Sequence, residues 1–145
     1  MYKRVGFAVL SGMLAVGSVQ AGDKDLVKYR EKVMEVIGGH MGAIAAIVKG
    51  EVPYKDELVY HAESLAAAAP KTLPAFKTKA MSKDTEALDK IWDNWAEFEK
   101  AAKKFEAASA DFSKAASTGD MAAVGAALGA LGKSCKGCHD EFTED

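Results

Sequence analysis

From about Lys24 onward, apolar residues return every three or four positions with charges between them, the mark of amphipathic helices. A first helix is predicted from about Lys24 to Lys49, with Leu26, Arg30, Val33, Ile37, Ile44 and Ile47 or Val48 on one stripe. Gly50 and Pro53 end it. A shorter second helix, about Lys55 to Ala69, carries Leu58, Ala62 and Leu65 and stops at Pro70. Lys71 to Thr85, with Pro74 and mixed polar residues, reads as a connecting loop over Leu73 and Phe76. The third helix is the clearest, with Leu88, Ile91, Trp95, Phe98, Ala102, Phe105 and Phe112 in a three-four rhythm. Ser117-Thr118-Gly119 breaks that pattern and Asp120 is a good N-cap for a fourth helix. There Met121, Val124, Leu128, Leu131, Cys135, Cys138 and Phe142 fall on the seam expected to be buried. No alternating β-branched run or hairpin turn competes. The expected fold is all-α, an antiparallel up-down-up-down four-helix bundle in one domain, residues 22–145.

The segment before it has another character. Met1-Tyr2-Lys3-Arg4 is a basic head, Val5 to Gly17 is apolar, and Val19-Gln20-Ala21 offers small residues for a peptidase. Residues 1–21 therefore read as a cleaved signal peptide; the apolar run is shorter than the roughly 20 residues of a membrane span. Cleavage removes Lys3 and Arg4 and no acid, leaving 17 basic against 21 acidic residues. That mild acidity, with no basic cluster, argues against nucleic acid and against an anionic membrane surface. No second long apolar run follows, so the exported product is expected to be soluble, without membrane insertion.

Two cysteines in an exported chain ordinarily suggest a disulfide, but here they stand three apart and a histidine follows at once. Cys135-Lys136-Gly137-Cys138-His139 is the attachment pattern of a c-type haem. Residues three apart share a helix face, so both thiols can meet the vinyl groups on one haem edge. The next residue then brings an imidazole to the iron. A thioredoxin-like pair would sit at a helix N-terminus after a strand, and this pair lies near the end of the last helix. A structural zinc site wants four ligands, for which His40 and His61 would have to converge on the cysteines. Gly125, Gly129, Gly132 and Gly137 each cost up to about 1 kcal/mol of helix stability against alanine. They either admit a flat macrocycle or neighbouring helix, or are simply tolerated.

With the first and fourth helices antiparallel, the other haem face falls to residues early in the first helix. Arg30, Met34 and Met41 share a stripe there, and Met41 lies about 10 Å beyond Met34, so Met34 is the better distal candidate. Arg30 is charged where the stripe is buried, which a haem propionate would answer with an ion pair. Glu31 could line the same edge. His40, six residues after Met34, lies on a different helix face, and both His40 and His61 read as surface residues or a subunit contact rather than as metal ligands.

Taken together these residues resemble the cytochrome c′ family. Tyr29-Arg30 followed by Met34, Val48-Lys49-Gly50-Glu51, Pro53-Tyr54, Ile91-Trp92 with Phe98, and Gly132-Lys133-Ser134-Cys135-Lys136-Gly137-Cys138-His139-Asp140 carry the likeness. The resemblance implies one covalent haem c, with His139 as proximal ligand and Arg30, Glu31 and a residue before Ile91, here Glu86, against it. The position of Met34 divides that family between five-coordinate proteins that bind nitric oxide and carbon monoxide and six-coordinate electron carriers with a bonded methionine. It also implies a periplasmic homodimer formed through the first two helices, where Gly38, Gly39, Gly42 and Ala46 permit close contact, and an unidentified redox partner. One departure is Thr143, where members usually carry a basic residue near the proximal histidine. The rival expectation is a haem-dependent enzyme of slow nitric oxide reduction or peroxide turnover. Such an enzyme needs a distal acid–base group, which Met34 cannot supply, so a binding and transfer protein is expected.

Overall fold

A computed structural model describes residues 22–144 of the chain; the signal-peptide expectation for residues 1–21 lies outside them. Six helices follow in order: α1 (Asp23–Val48), α2 (Leu58–Ala68), α3 (Thr72–Phe76), α4 (Lys90–Asp93), α5 (Trp95–Thr118) and α6 (Met121–Phe142). The long ones, α1, α2, α5 and α6, form the four-helix bundle. Each packs on its neighbour in sequence, and α6 returns beside α1. No helix of the described residues is long and apolar enough to cross a membrane.

Local chemistry sets the ends. Asp23 and Asp25 favour the positive N-terminus of α1. Its other end closes on Gly50, whose φ of 73° is left-handed. Gly50 N–H reaches the Ile47 carbonyl and Glu51 N–H the Ala46 carbonyl, so the last carbonyls are not orphaned. Gly119, with φ of 71°, stops α5 in the same conformation. One residue later the Asp120 carboxylate accepts from Ala122 and Ala123 N–H and starts α6.

Two apolar clusters fill the interior. The larger joins Ile37, Ile44, Leu65, Phe112, Val124 and Leu131 from all four long helices. The smaller, at the end where α6 finishes, joins Phe76, Ile91, Phe98 and Phe142. Val33 and Met34 touch both.

Four details differ from the sequence expectation. Val27, not Leu26, is buried in α1, because the stripe steps back from Arg30 by three. The stretch taken as a loop after Pro70 contains α3, since Pro74 sits within its first turn, where a missing N–H breaks no helical bond. The third helix is interrupted at Asn94, whose φ of −126° and ψ of 49° separate α4 from α5. Met121 is 44% exposed rather than part of the seam, being the first residue of its helix. The glycines of α6 face open space: a Cβ at Gly125, Gly129, Gly132 or Gly137 would meet nothing within 4 Å. No neighbouring helix therefore needs their smallness.

Candidate functional site

Between α1 and α6 the bundle opens into a cavity of about 550 Å³, within the range of small-molecule and cofactor sites. From α1 it is lined by Arg30, Glu31 and Met34; from α6 by Cys135, Cys138 and His139; from the loop before α4 by Glu86. All seven residues that the sequence singled out thus meet at one cavity, whereas Met41, the second methionine of the stripe, packs against the larger core cluster instead.

The helix period puts Cys135 and Cys138 on the same face of α6, half-buried and not joined to each other. Burial pushes both thiols up, Cys138 to about 11, with the Cys135 charge and Glu141 adding to it. That is the reverse of a thioredoxin-like pair, whose thiolate is stabilised. His139 is exposed, one turn from the end of α6. Its carbonyl accepts from the Thr143 hydroxyl at 2.9 Å, so Thr143 closes the helix rather than offering a charge to the imidazole. The end of α6 is tied to the loop before α4, with Leu88 N–H on the Phe142 carbonyl at 3.0 Å and Glu144 N–H on that of Glu86 at 2.8 Å. Those bonds hold the Glu86 backbone beside the cysteine-bearing turn; the Glu86 side chain itself is exposed.

Arg30 is the most unusual group. Its residue is 2% exposed, which excludes a head reaching water. The guanidinium lies over the rings of Phe76 and Trp92 at 5.1 and 5.0 Å, and Trp92 is fixed by its indole N–H on the Phe76 carbonyl at 2.8 Å. Nη2 donates to the Ala80 carbonyl at 2.5 Å, but Nε and Nη1 have no partner. Burial lowers its pKa, against the pull of Glu31 and Asp23. Buried donors left unmatched cost on the order of 1–3 kcal/mol each. A second orphan lines the same cavity: the Thr72 hydroxyl, in a residue 5% exposed. Sequence reasoning missed Thr72 because its segment read as loop, and no periodicity marks a residue in a helix of five.

His40 and His61, outside this cavity and half-buried, are in contact with each other, with their Nδ1 atoms 3.0 Å apart across α1 and α2. Burial and the neighbouring ring push His40 below the ordinary imidazole range.

The cavity thus offers two thiols, an imidazole on the same turn, a thioether across from them and unmatched donors for an anion. This set fits a covalently held haem with its propionates. Comparison with known proteins agrees. A model of the family described as cytochrome C′ matches residues 25–143. Cytochrome c′ of Pararhodospirillum photometricum is 42% identical over 120 residues, covering 81% of this chain and 95% of its own. The structure of cytochrome c prime from Shewanella frigidimarina superposes with a TM-score of 0.81 at 30% identity, covering 88% of this chain and all of the other. A variant of cytochrome c prime from Alcaligenes xylosoxidans, solved as a nitric oxide complex, superposes with a TM-score of 0.79 at 30% identity, over 88% of this chain and 99% of its own. A bundle of this topology, an attachment motif opening on one cavity and relatives of this similarity lead to one conclusion: the chain belongs to the cytochrome c′ family and is a haem c protein.

Proposed function

We propose that this chain is an exported, periplasmic haem protein that binds nitric oxide or carbon monoxide at the face of the iron covered by Met34. Cys135 and Cys138 would form the two thioethers and the His139 imidazole would bind the iron, with Met34 lining the same cavity. Arg30 Nε and Nη1 would receive a propionate, with the Thr72 hydroxyl, Glu31 and the segment of Glu86 along the same edge. The haem, once bound, supplies an iron that exchanges single electrons and takes a diatomic ligand. What the residues around it do is simpler: Met34, Phe76, Ile91 and Phe105 give the cavity its apolar lining, and Arg30 supplies positive charge at its margin.

The observation that carries this reading is the convergence on one cavity of both thiols, His139 and Met34 with a buried guanidinium that has two unmatched donors. The nitric oxide complex known for the Alcaligenes relative supports the choice of ligand. Met34 lining the cavity also favours a second reading, a six-coordinate electron carrier with its sulfur on the iron. Catalysis is the weaker alternative, because Arg30 is engaged with Ala80 and two aromatic rings and Met34 carries no exchangeable proton. Absorption and spin state of ferric and ferrous protein, repeated with Met34→Leu, separate the readings. A high-spin iron unchanged by the substitution, with ferrous protein that takes up nitric oxide, is expected. A low-spin iron with a methionine charge-transfer band that Met34→Leu abolishes would establish the carrier instead.

The outer face of α1 and α2 suits a homodimer. Tyr29 (57% exposed), Val36 (52%) and Tyr60 (59%) present apolar surface there, and Gly38, Gly39 and Gly42 leave room for close helix approach. Sedimentation of the holoprotein at two concentrations tests it.

A further inference from the structure

Trp92 does not line the haem cavity, yet it touches the charged side chain buried beside that space. Three groups hold the Arg30 guanidinium: the ring of Phe76 at 5.1 Å, the ring of Trp92 at 5.0 Å and the Ala80 carbonyl. Of these, Trp92 is itself pinned by a side-chain hydrogen bond, its indole N–H donating to the Phe76 carbonyl at 2.8 Å. That bond answers one of the carbonyls left open at the end of α3 and ties the Trp92 ring to the residue that carries the other ring. Lys79 Nζ also lies over Trp92, at 5.8 Å, but Asp89 takes its charge in an ion pair. Arg30 is left as the cation on that ring whose Nε and Nη1 are unmatched. A free arginine loses rotamer freedom when an anion orders it, and that cost weakens the pair. One already held between rings has lost that freedom on folding.

We propose that Trp92 is a positioning residue of the haem site: stacked on Arg30 and pinned to Phe76, it holds the guanidinium for a haem propionate and so favours the ferrous state. The inference rests on the propionate reading of Arg30. Tryptophan is the best of the cation-binding rings, and the attraction grows where water is excluded, as it is around a residue 2% exposed. The electrostatic sign follows from the charges. Reduction by an external one-electron donor adds one negative charge to the ferric haem. A guanidinium held on a propionate neutralises a negative charge at the porphyrin rim, and it does so more strongly in a low-dielectric interior. The ferrous form is thereby favoured. Without the Trp92 ring the guanidinium spreads over more geometries, the propionate charge is matched less well, and the ferric form gains. Trp92 acts in this way on the iron without touching the haem.

The test is a spectroelectrochemical titration of the holoprotein, followed at the haem bands, for wild type, Trp92→Leu, Trp92→Phe and Trp95→Leu. Trp95 packs on Phe98 in the same apolar cluster, at 5.5 Å between ring centroids, and controls for the loss of an indole from that end of the bundle. At a fixed ambient potential Trp92→Leu should raise the ferric-to-ferrous ratio about threefold or more, the effect of losing a modest cation–π contact. Trp92→Phe keeps a ring face for Arg30 and should recover at least half of that shift, while Trp95→Leu should cause none. Equal shifts in Trp92→Leu and Trp92→Phe, or a shift as large in Trp95→Leu, overturn the proposal. Repeating Trp92→Leu in an Arg30→Leu background separates the proposal from the reading beneath it. Because Trp92 acts through Arg30, the ratio should then change no further. A shift from Arg30→Leu with none from Trp92→Leu overturns the positioning role alone. No shift from Arg30→Leu overturns the propionate reading as well. Should a leucine variant lose the native haem spectrum, Trp92→Met and Arg30→Gln take their places in the same cycle.

Discussion

At Arg30 the sign of a single substitution reports what the cavity holds. A buried guanidinium with two unmatched donors is a net cost, so replacing it by leucine in a chain without an anion nearby should be neutral or stabilising. If a propionate receives those donors, Arg30→Leu breaks a buried charge pair and should destabilise the holoprotein by about 3–5 kcal/mol. The second outcome is expected, measured from urea midpoints of haem-loaded protein. The Thr72 hydroxyl has no partner among the described residues; if the haem supplies its acceptor, Thr72→Val should cost about 1 kcal/mol on the same scale. Arg30 was legible in the sequence because a charge on an apolar stripe is a local contradiction that invites a partner. Thr72 was not, because a threonine beside prolines is unremarkable until the backbone turns it inward.

Among the helices, the ends carry the most legible information. Asp120 sits where the helix pattern restarts, and its carboxylate takes two of the four orphan N–H groups of α6. Asp120→Ala should cost about 1 kcal/mol. Gly119→Ala should cost a similar amount, about 1–2 kcal/mol, because its φ of 71° lies in the left-handed region; both are measured by urea unfolding at fixed pH. The interruption at Asn94 and the short α3 escaped the sequence reading because both rest on packing of a few residues at one end of the bundle rather than on periodicity. The meeting of His40 and His61 escaped it for a related reason. A face is assigned from one helix, while contact depends on how two helices are rotated against each other. That contact has a pH signature. Folding holds His40 below its ordinary value of 6.5, chiefly by burial and then by the charge of His61. As pH falls through that value the unfolded chain takes up the proton first, so stability is present above it and declines below it. The urea midpoint should therefore fall between pH 7.5 and 5.5 in metal-free buffer, and His40→Gln should flatten that slope.

Across the whole molecule the haem cavity is too large to be left dry. A space of about 550 Å³ beside α1 and α6 leaves its apolar lining without packing partners on one side. Without its haem the bundle must flood or close that space, and its two ends are not equally able to bear it. Ile44, Leu65, Phe112 and Val124, each fully buried, form a continuous core away from the cavity. At the other end Phe76 and Ile91 rest on helices of five and four residues, too short to persist without tertiary support, while Phe98 sits in the first turn of α5 and Phe142 in the last turn of α6, where helices fray. A chain with Cys135→Ser and Cys138→Ser, made without haem, should accordingly keep its amide protons protected in the C-terminal half of α1, in α2 and across the α5–α6 turn. It should lose protection in α3, α4 and the end of α6. Hydrogen exchange resolved by residue measures this directly. Uniform protection throughout would mean that the bundle builds the site unaided; the asymmetric pattern would mean that the haem is part of the core, and that covalent attachment secures the fold as well as the cofactor.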